Sequence, residues 1–452
     1  MHSFDVIVVG GGIAGLVAAR ELAREGATVA VLEARSRWGG RIASRRSPAS
    51  GPAVELGAEF IHGRPAETLT LLEEAGVTLS PIGTSQIEMT DQGLAPANDF
   101  FDDVEKALDS VAAEPLPDRS FAEWLAASRL DPRVATRALS YVEGFYASSA
   151  ERIGTAGLAR EQKAASDRGD AMYRTIEGYG ALVDHLVASA KSVILRPSTV
   201  VNTVRWSGSE VRVAAETPGG SYVCRSRRAI ITLPLGVLRA RGDQPFGVHF
   251  DPGLDEKVRQ ACLLDPGVAR RVVLEFARPF WRGKRDRTGR PLEDLGFLHA
   301  PGAEVPVFWT NYPDDAPRLT GWAGGPRAAR WPHHAFADAA CSTLARAFGV
   351  SPNEVKRELV AAHTHDWAAD PHTRGTYSYA LVGGADAPQR LAEPVEDVLF
   401  FAGEATHFEG ELGTVAAAIA TGYRAAHEVL HASDALARDL PRSGVDRDRA
   451  CR

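Results

Sequence analysis

Apolar and polar residues alternate at the amino terminus in blocks that predict a strand, a turn, a helix and a second strand. Phe4–Val9 is a short, mainly β-branched run, typical of a buried parallel strand. The next segment carries an apolar stripe at helical spacing, formed by Leu16, Ala19, Leu22 and Ala23. Gly26 ends this helix, and Thr28–Leu32 repeats the strand pattern. The chain therefore begins with an α/β unit.

Further along the chain the periodicity changes twice. Residues 65–175 show helical spacing, for example in Ser120–Leu130, and predict a mostly helical insertion. Val193–Val213 is typical of short strands joined by a turn. Residues 263–371 alternate between strand-like runs and turns before a helical stretch, which predicts a sheet-containing unit.

Composition excludes several classes of protein. The chain has 452 residues, 44% of them hydrophobic, so it can bury a large core. Its net charge of −7 gives no indication of binding to nucleic acid or to an anionic membrane. The 4 cysteines have no CxxC spacing, which predicts neither a metal site nor disulfides. We find no signal peptide and no apolar run of about 18 residues, so we expect a cytoplasmic protein.

Three glycines between the first strand and the first helix form a GxGxxG motif. Gly10 permits a tight turn, Gly12 lets the backbone approach a diphosphate, and Gly15 lets the helix pack closely on the strand. Glu33 ends the second strand, where a carboxylate can accept hydrogen bonds from ribose hydroxyls and repels a 2′-phosphate. The motif predicts a dinucleotide site, although Glu33 does not distinguish NAD from FAD.

A second glycine pair, Gly39-Gly40, and Arg41 follow Glu33 within eight residues. They place flexible backbone and a permanent cation where a second pass of the chain can meet the same diphosphate. The stretch GGGIAGLVAARELAREGATVAVLEARSRWGGR resembles the opening of the flavin-containing amine oxidases. That family includes monoamine oxidases, polyamine oxidases and lysine-specific histone demethylases. The resemblance implies that the cofactor is FAD and not a diffusing nicotinamide.

The resemblance spans about residues 4 to 430. Further matching segments are ELGAEFIHG, TLPLGVL, RRVVLEFARPFW, FAGEAT and GTVAAAIATG. The resemblance implies an α/β fold, in which a GxGxxG-type, Rossmann-like FAD-binding domain is interleaved with an α+β substrate domain. The implied FAD-domain segments are 1–66, 178–262 and 372–431, and the substrate-domain segments are the helical 67–177 and the sheet-containing 263–371. Arg and Asp alternate near the end of the chain, which predicts a disordered tail over residues 432–452.

The resemblance also implies a set of site residues. The implied cofactor-binding positions are Gly10, Gly12, Ile13, Ala14, Gly15, Glu33, Ala34, Arg35, Gly40, Arg41, Gly57, Ala58, Glu59, Phe60, Val201, Trp367, Gly403, Glu404, Thr414, Val415 and Ala418. The implied catalytic positions are His62, Arg271 and Tyr377. Trp367 and Tyr377 correspond to an aromatic pair at the flavin face, and aromatic faces suit an amine nitrogen. Both could instead be core aromatics, and His62 a structural histidine.

Three positions depart from the family pattern. Arg271 stands where the family has a lysine that contacts flavin N5 through a water, and a guanidinium cannot act as a neutral base. It could instead point outward to a surface acid, or exchange roles with Arg270. Thr376 stands at the position of the cysteine that binds flavin covalently in monoamine oxidases, which implies noncovalent FAD. Thr414 stands where those enzymes have a second tyrosine.

The activity that the resemblance implies is FAD-dependent oxidation of a small-molecule amine, either a monoamine or a polyamine. Hydride passes to flavin N5, the imine hydrolyses, and molecular oxygen is reduced to hydrogen peroxide. Two alternatives stay open: a desaturase or dehydrogenase acting on C–C bonds, and a noncatalytic FAD-binding module. Glu59 and Glu143 are candidate substrate-binding acids, or else solvated surface acids. The sequence carries no signal of the oligomeric state.

Overall fold

The computed structural model describes residues 2–46, 53–113, 117–169, 171–240, 242 and 244–439. In chain order the strands are β1 (His2–Val9), β2 (Val29–Leu32), β3 (Ser44–Arg45), β4 (Val54–Glu55), β5 (Phe60–His62), β6 (Leu79–Pro81), β7 (Ser85–Thr90), β8 (Gly93–Pro96), β9 (Met172–Thr175), β10 (Ile194–Arg196), β11 (Val200–Trp206), β12 (Val211–Thr217), β13 (Gly220–Ile231), β14 (His249–Asp251), β15 (Leu264–Asp265), β16 (Ala269–Phe276), β17 (Leu295–His299), β18 (Val307–Thr310), β19 (Arg318–Gly324), β20 (Leu359–His363), β21 (Tyr379–Ala380) and β22 (Leu399–Phe401). The α-helices are α1 (Ile13–Arg24), α2 (Ala66–Glu74), α3 (Phe100–Ala112), α4 (Phe121–Ala127), α5 (Pro132–Phe145), α6 (Thr155–Arg168), α7 (Tyr179–Ser189), α8 (Leu235–Leu238), α9 (Asp255–Ala261), α10 (Gly325–Ala329), α11 (Phe336–Phe348), α12 (Pro352–Glu358), α13 (Ala387–Ala392) and α14 (Val415–Asp439).

An eight-stranded sheet carries the predicted amino-terminal unit. Its order is β10-β2-β1-β13-β12-β11-β14, and β22 also pairs with β13. Strands β10, β2, β1, β13 and β22 run parallel, whereas β13, β12 and β11 form an antiparallel meander. All four residues of β2 are buried, as expected for an apolar strand covered on both faces. The predicted strand–helix–strand order and the α/β fold class are confirmed.

Helix α14 crosses α1 closely on one face of this sheet. A Cβ added at Gly422 would lie 2.5 Å from the carbonyl oxygen of Ala14, so only glycine permits this approach. The interface buries apolar side chains from both helices, among them Leu16, Val17 and Ile419. This packing fixes the N-termini of α1 and α14, which both border the site described below.

A seven-stranded, largely antiparallel sheet forms the second layer, in the order β20-β16-β19-β18-β17-β7-β8. Strands β16 to β20 lie within residues 263–371, the stretch predicted to contain a sheet, and α11 buries Phe336 and Leu344 against this sheet. The hairpin β7–β8, together with β6 and β9, lies in the stretch predicted to be mostly helical. That prediction is therefore incomplete, because these short strands pair with residues far away in the chain.

The end of the chain requires a correction. Residues up to Asp439 belong to α14, so the predicted disordered tail begins with helix. Ala, Leu and Arg are strong helix formers and extend the helix into this stretch. Residues 440–452 lie outside the described part of the chain. None of the described helices combines the length and apolarity that crossing a bilayer requires. The domain boundaries stay a prediction.

Candidate cofactor and substrate site

The turn between β1 and α1 forms an open cradle at a helix N-terminus. Gly10 has φ +111°, and a Cβ added at Gly15 would lie 2.1 Å from the carbonyl oxygen of Gly10. A Cβ added at Gly12 would meet nothing within 4 Å. Gly15 therefore serves packing, whereas Gly12 borders empty space at the start of α1. The free N–H groups of the first turn of α1 are available to an anion there.

The second glycine pair packs directly on this cradle. Gly39 donates a backbone hydrogen bond to the carbonyl oxygen of Gly11 over 2.9 Å. Gly40 has φ +59°, and a Cβ on it would lie 3.3 Å from the Cα of Gly12. The two glycine-rich passes of the chain thus line the same space, and a larger residue at Gly40 would be strained.

Glu33 is buried at the cradle and holds two backbone groups. Its Oε2 accepts a hydrogen bond from the N–H of Gly11 over 2.8 Å, and its Oε1 accepts from the N–H of Arg35 over 2.8 Å. The side chain of Arg35 in turn donates to Asp370 and Thr373, each over 2.7 Å. Glu33 therefore fixes the loop. It also lines the cavity, and a carboxylate has lone pairs left to accept hydroxyl hydrogen bonds there.

Arg41 and Glu404 join three distant parts of the chain. Arg41 Nη1 donates to Oε1 of Glu404 and to the carbonyl oxygen of Thr376, both over 2.7 Å. Oε2 of Glu404 accepts from the N–H of Gly413 over 3.0 Å, and Oε1 from the hydroxyl of Ser378 over 3.0 Å. This network closes one wall of the cavity and pairs the charge of Arg41 with that of Glu404.

The cavity itself encloses about 1030 Å³ of empty space, part of it open to solvent. The predicted cofactor-binding residues that line it are Gly10, Gly12, Ile13, Ala14, Glu33, Ala34, Arg35, Gly40, Arg41, Ala58, Val201, Gly403, Glu404, Thr414, Val415 and Ala418. Lining residues that sequence reasoning missed include Thr199, Thr232, Phe246, Val248, His372 and Thr373. Thr232 follows the parallel strand β13 beside β1, and the carboxyl ends of such strands are the usual place for a ligand.

Five predicted cofactor-binding positions do not line this cavity: Gly15, Gly57, Glu59, Phe60 and Trp367. Gly57 lies between Arg41 and Trp367, since a Cβ on it would lie 1.8 Å from the Arg41 carbonyl oxygen and 3.2 Å from the Trp367 ring. The buried Trp367 donates its indole N–H to the carbonyl oxygen of Leu56 over 2.9 Å. Gly57 and Trp367 therefore pack next to Arg41, which lines the cavity.

Arg271 points inward, and its partner is Glu59. Both side chains are buried and form an ion pair. Arg271 Nη1 also donates to the carbonyl oxygen of Gly57 over 3.2 Å, and its guanidinium lies 5.4 Å from the centre of the Trp309 ring. The outward, surface-paired alternative for Arg271 is therefore wrong. Exchange with Arg270 is also wrong, because Arg270 pairs with Asp366 over 2.8 Å.

Glu59 is the centre of this buried charge cluster and is not a solvated surface acid. Its Oε1 lies 3.5 Å from Nε of Arg174, and its Oε2 accepts from the indole N–H of Trp309 over 3.1 Å. Burial alone would raise the pKa of Glu59, but the charges of Arg271 and Arg174 outweigh burial and lower it. Glu59 is thus ionised and fully engaged, which leaves it no free charge for a substrate. Glu143, the other candidate acid, is half-buried.

Rings form a connected aromatic cluster beside the cavity. We define the cluster by Phe60, His62, Phe145, Trp309, Trp322 and Tyr377. Trp322 lies nearly parallel to Tyr377, at an angle of 11° and 6.4 Å between ring centres. The Tyr377 hydroxyl donates to the carbonyl oxygen of Phe145, whose ring meets that of His62 edge-on at 5.6 Å. The structure thus brings two of the predicted catalytic residues, His62 and Tyr377, into one cluster, and Arg271 contacts it through Trp309.

Sequence reasoning missed Trp322, although the sheet register explains its position. Trp322 on β19 pairs with Arg271 on β16 across the antiparallel ladder. Only knowledge of that register would have placed it near Tyr377. Trp322 is thus an aromatic neighbour of Tyr377.

Thr414 and Val415 connect the aromatic cluster to the cofactor cavity. They line the large cavity and also a small space that His62, Phe60 and Arg168 border. Burial, with a contribution from the charge of Arg168, lowers the pKa of His62 to about 4. His62 is therefore neutral at neutral pH and able to exchange hydrogen bonds without adding charge.

The residues present fit FAD. The space over Gly12 lies at a helix N-terminus, which suits a diphosphate, and the buried carboxylate of Glu33 borders it, which suits a ribose. No group of three or more histidine, cysteine or acidic side chains within the described residues is arranged to hold a metal ion. The cavity is therefore shaped for a dinucleotide.

Comparison with known proteins agrees with this geometry. A family model described as "Flavin containing amine oxidoreductase" matches residues 13–430. Bovine (Bos taurus) peroxisomal N(1)-acetyl-spermine/spermidine oxidase is 27% identical over an alignment covering 94% of each chain. Lysine-specific histone demethylase 1 homolog 3 of Arabidopsis thaliana is also 27% identical, but the alignment covers 98% of this chain and only 30% of that protein.

Two solved structures share the fold. A wild-type putrescine oxidase bound to putrescine superposes with a TM-score of 0.78 at 21% identity, covering 95% of this chain and 99% of that one. Cyclohexylamine oxidase from Brevibacterium oxydans IH-35A gives a TM-score of 0.77 at 20% identity, covering 96% and 99%. At these identities the likeness concerns the fold alone.

Proposed function

Because this chain belongs to the flavin containing amine oxidoreductases, and its cofactor is FAD, we propose that it oxidises a small-molecule amine with molecular oxygen as the electron acceptor. The carbon beside the amine nitrogen loses a hydride and the nitrogen loses a proton, which gives an imine. Oxygen takes up the two electrons and two protons and becomes hydrogen peroxide. Water then hydrolyses the imine to an aldehyde or ketone and a free amine or ammonia.

The observation that carries the proposal is the position of the aromatic cluster beside the cofactor cavity. Thr414 and Val415 border both spaces, and Tyr377 packs against Gly413 just before them, since a Cβ on Gly413 would lie 2.9 Å from Cδ2 of Tyr377. Aromatic faces hold an amine nitrogen by shape and by attraction to partial positive charge. FAD, when bound, supplies the two-electron redox chemistry.

The residues of this chain position the amine and control protons and water. The rings of Tyr377 and Trp322 exclude water, which strengthens electrostatic interactions in the site. The neutral imidazole of His62 can accept a hydrogen bond from the amine N–H without itself becoming charged. The guanidinium of Arg271 is held by Glu59, so its role in the proposal is to supply a fixed positive field and not to relay protons.

An amine panel tests the activity. Purified, FAD-loaded protein is given monoamines, diamines and a methylated lysine peptide, and hydrogen peroxide and aldehyde are measured together. We expect peroxide and aldehyde in equal amounts with at least one small-molecule amine. Peroxide from none of the amines would refute the proposal, and turnover of the peptide alone would assign a demethylase.

The attachment of FAD is tested separately. Thr376 stands in the position of the covalent cysteine, and we propose that FAD is noncovalent. Acid precipitation should then release all yellow colour into the supernatant, and colour left on the precipitate would contradict this. Glu33→Ala should weaken FAD affinity about tenfold or more, since a charged acceptor is worth roughly 1.5–3 kcal/mol. Glu33→Gln, which keeps an acceptor oxygen, should lose less.

A further inference from the structure

The cofactor cavity follows the carboxyl ends of the parallel strands, and its two ends differ. The strands stand in the order β10, β2, β1, β13 and β22. At the β22 end, the lining includes Thr414 and Val415, which also border the aromatic cluster. At the β10 end, the lining includes Thr199, whose N–H donates to the carbonyl oxygen of Glu33 over 2.8 Å. Since the diphosphate site lies between the two ends, FAD that reacts beside the aromatic cluster would place its adenine at the β10 end, which we call the adenosine end.

Three segments of the chain meet at the adenosine end, and their side chains are mainly apolar. The parallel pairing of β14 with β11 brings Phe246 and Val248 beside Val200 and Val201, and all four line the cavity. The third segment contributes His372, whose ring meets that of Phe246 at an angle of 73°, with 4.9 Å between ring centres. An apolar pocket with two rings suits a purine base, because the faces of a base stack on aromatic side chains.

The wall of this pocket that carries His372 is firmly held. The backbone N–H of His372 donates to Oδ1 of Asp370 over 2.9 Å, and Asp370 forms an ion pair with Arg35 over 2.7 Å. A Cβ added at Gly236 would lie 2.3 Å from the carbonyl oxygen of Arg374, so the chain just after His372 packs against the start of α8. These contacts fix one side of the adenosine end.

Phe246, on the other side, is exposed and has an unfavourable backbone conformation. It lines the cavity although 47% of its surface is accessible to solvent. It is the third residue of a turn in which the N–H of Gly247 donates to the carbonyl oxygen of Gln244 over 2.9 Å, and its φ is +59°. A positive φ at this position of a turn favours glycine or asparagine. A strained phenylalanine at the edge of a ligand cavity indicates a function for its side chain.

Arg374 attaches this turn to the firmly held wall. Its guanidinium donates to the carbonyl oxygen of Pro245 and, over 3.3 Å, to the side-chain oxygen of Gln244. Both hydrogen bonds are exposed to solvent, where water competes for the same groups. The turn can therefore separate from the wall at a small cost in free energy.

We infer that Phe246 is a lid on the adenosine end of the cavity, and that its contact with the adenine sets the rate at which FAD leaves the protein. The lid opens when the hydrogen bonds from Arg374 to the turn break, while the wall that carries His372 stays in place. The inference concerns exchange of the cofactor and is independent of the proposed amine oxidation.

The test compares the rate of FAD release from loaded wild-type protein and loaded variants. Phe246→Gly removes the ring and suits the positive φ, so it should fold as well as the wild type, which circular dichroism checks. After dilution, the fluorescence of the freed flavin measures release, which should become about fivefold to a hundredfold faster, the range for loss of one aromatic contact with a base. Phe246→Tyr keeps the ring and should release FAD at nearly the wild-type rate.

Two further variants test the attachment of the turn and the specificity of the effect. Arg374→Gln should speed FAD release less than Phe246→Gly does, and the double variant should be no faster than Phe246→Gly alone, since both act through one ring. Phe101→Ala is the matched control, because Phe101 is also an exposed phenylalanine, at 38%, but does not line the cofactor cavity. It should leave the release rate unchanged.

Etheno-FAD, whose modified adenine is fluorescent, tests the place of the lid. In the wild type the bound adenine should be shielded from iodide, and Phe246→Gly should increase its quenching several-fold, whereas Phe101→Ala should not. FAD release from Phe246→Gly at the wild-type rate would overturn the inference. Equally fast release from Phe246→Tyr, or an adenine equally shielded with and without the ring, would overturn it as well. Because each readout concerns the cofactor, a failed amine panel leaves the inference standing.

Discussion

The cofactor cavity and the aromatic cluster meet at Thr414 and Val415 but are built on different principles. Around the cavity, Glu33 and Glu404 have several partners each, most of them backbone N–H groups or an arginine. Around the aromatic cluster, the walls are rings. The acids of the cavity are thus held by partners within the protein, while the free N–H groups at the start of α1 stay available to the cofactor. The hydrogen-bonded cavity suits a ligand that does not change, namely the cofactor. The aromatic cluster suits a ligand that must be selected, namely the substrate.

The largest expected effect comes from a substitution that disrupts the cofactor cavity and leaves the aromatic cluster intact. Gly12→Val fills the open space over the cradle without clashing with protein, so the variant should fold and lose nearly all FAD. Gly15→Val should instead prevent folding, because its Cβ would lie 2.1 Å from the carbonyl oxygen of Gly10. Flavin absorbance per protein and circular dichroism distinguish these outcomes.

Gly208→Val controls for the substitution itself, since Gly208 is exposed and a Cβ there meets nothing within 4 Å. It should retain FAD and fold normally. A Gly12→Val protein that keeps its full flavin content would show that the cradle does not hold the diphosphate.

The next largest effect comes from a substitution that disrupts the aromatic cluster and leaves the cofactor cavity intact. Tyr377→Ala removes a ring that faces Trp322, so kcat/KM for amines should fall about tenfold to a hundredfold while FAD content stays near that of the wild type. Tyr377→Phe keeps the ring and loses only the hydrogen bond to the Phe145 carbonyl oxygen, so it should lose much less. Steady-state kinetics on flavin-loaded protein measure both. Wild-type turnover in a loaded Tyr377→Ala protein would remove Tyr377 from the substrate site.

A smaller effect is expected from a substitution at Arg271, which lies between the cofactor cavity and the aromatic cluster. Arg271→Lys introduces the lysine that the resemblance implies at this position. It can still pair with Glu59, but it cannot also make the wild-type contact with the Gly57 carbonyl oxygen. We expect a several-fold faster reaction of the reduced enzyme with oxygen and little change in anaerobic reduction by substrate. Stopped-flow absorbance measures the two half-reactions separately.

Arg271→Ala gives the comparison, although it leaves Glu59 with fewer partners and should destabilise the fold by about 3–5 kcal/mol. Unchanged reaction with oxygen in both variants would mean that Arg271 serves stability only.

The smallest effect concerns pH and His62. The pKa of His62 is lowered from 6.5 in the unfolded chain to about 4 in the fold, so the unfolded chain binds the proton first as pH falls. The stability that neutral His62 contributes is complete above pH 6.5 and is lost as pH falls toward 4. In His62→Gln, the thermal midpoint should therefore decline less steeply across this window. Equal slopes in both proteins would show that His62 is not buried in its neutral form.

Prediction from sequence was best where structure depends on neighbours along the chain. The unit β1–α1–β2 follows from one apolar strand, three glycines and a terminal acid, all within residues 2–33. The packing of Gly39 and Gly40 beside the first glycine loop also agrees with the prediction, because that loop lies only some thirty residues earlier. Their contact with the diphosphate stays a prediction.

Prediction failed where partners lie far apart. Trp322 reaches Tyr377 only through the register of β16 and β19, and the hairpin β7–β8 depends on pairing with β17. Glu59 resembled a free acid until the fold placed Arg271 and Arg174 beside it.

The hydrogen bonds of Glu404 determine how much of the chain must be synthesised before the cofactor cavity can form. Its partners include Arg41 and the N–H of Gly413, so the wall cannot close until both ends of that span have emerged from the ribosome. Domains that fold during synthesis gain their native contacts in the order in which the chain is made. A nascent chain can form β1, α1 and β2 early, yet it has no closed pocket for hundreds of residues. We therefore expect flavin uptake only after nearly the whole chain has been made.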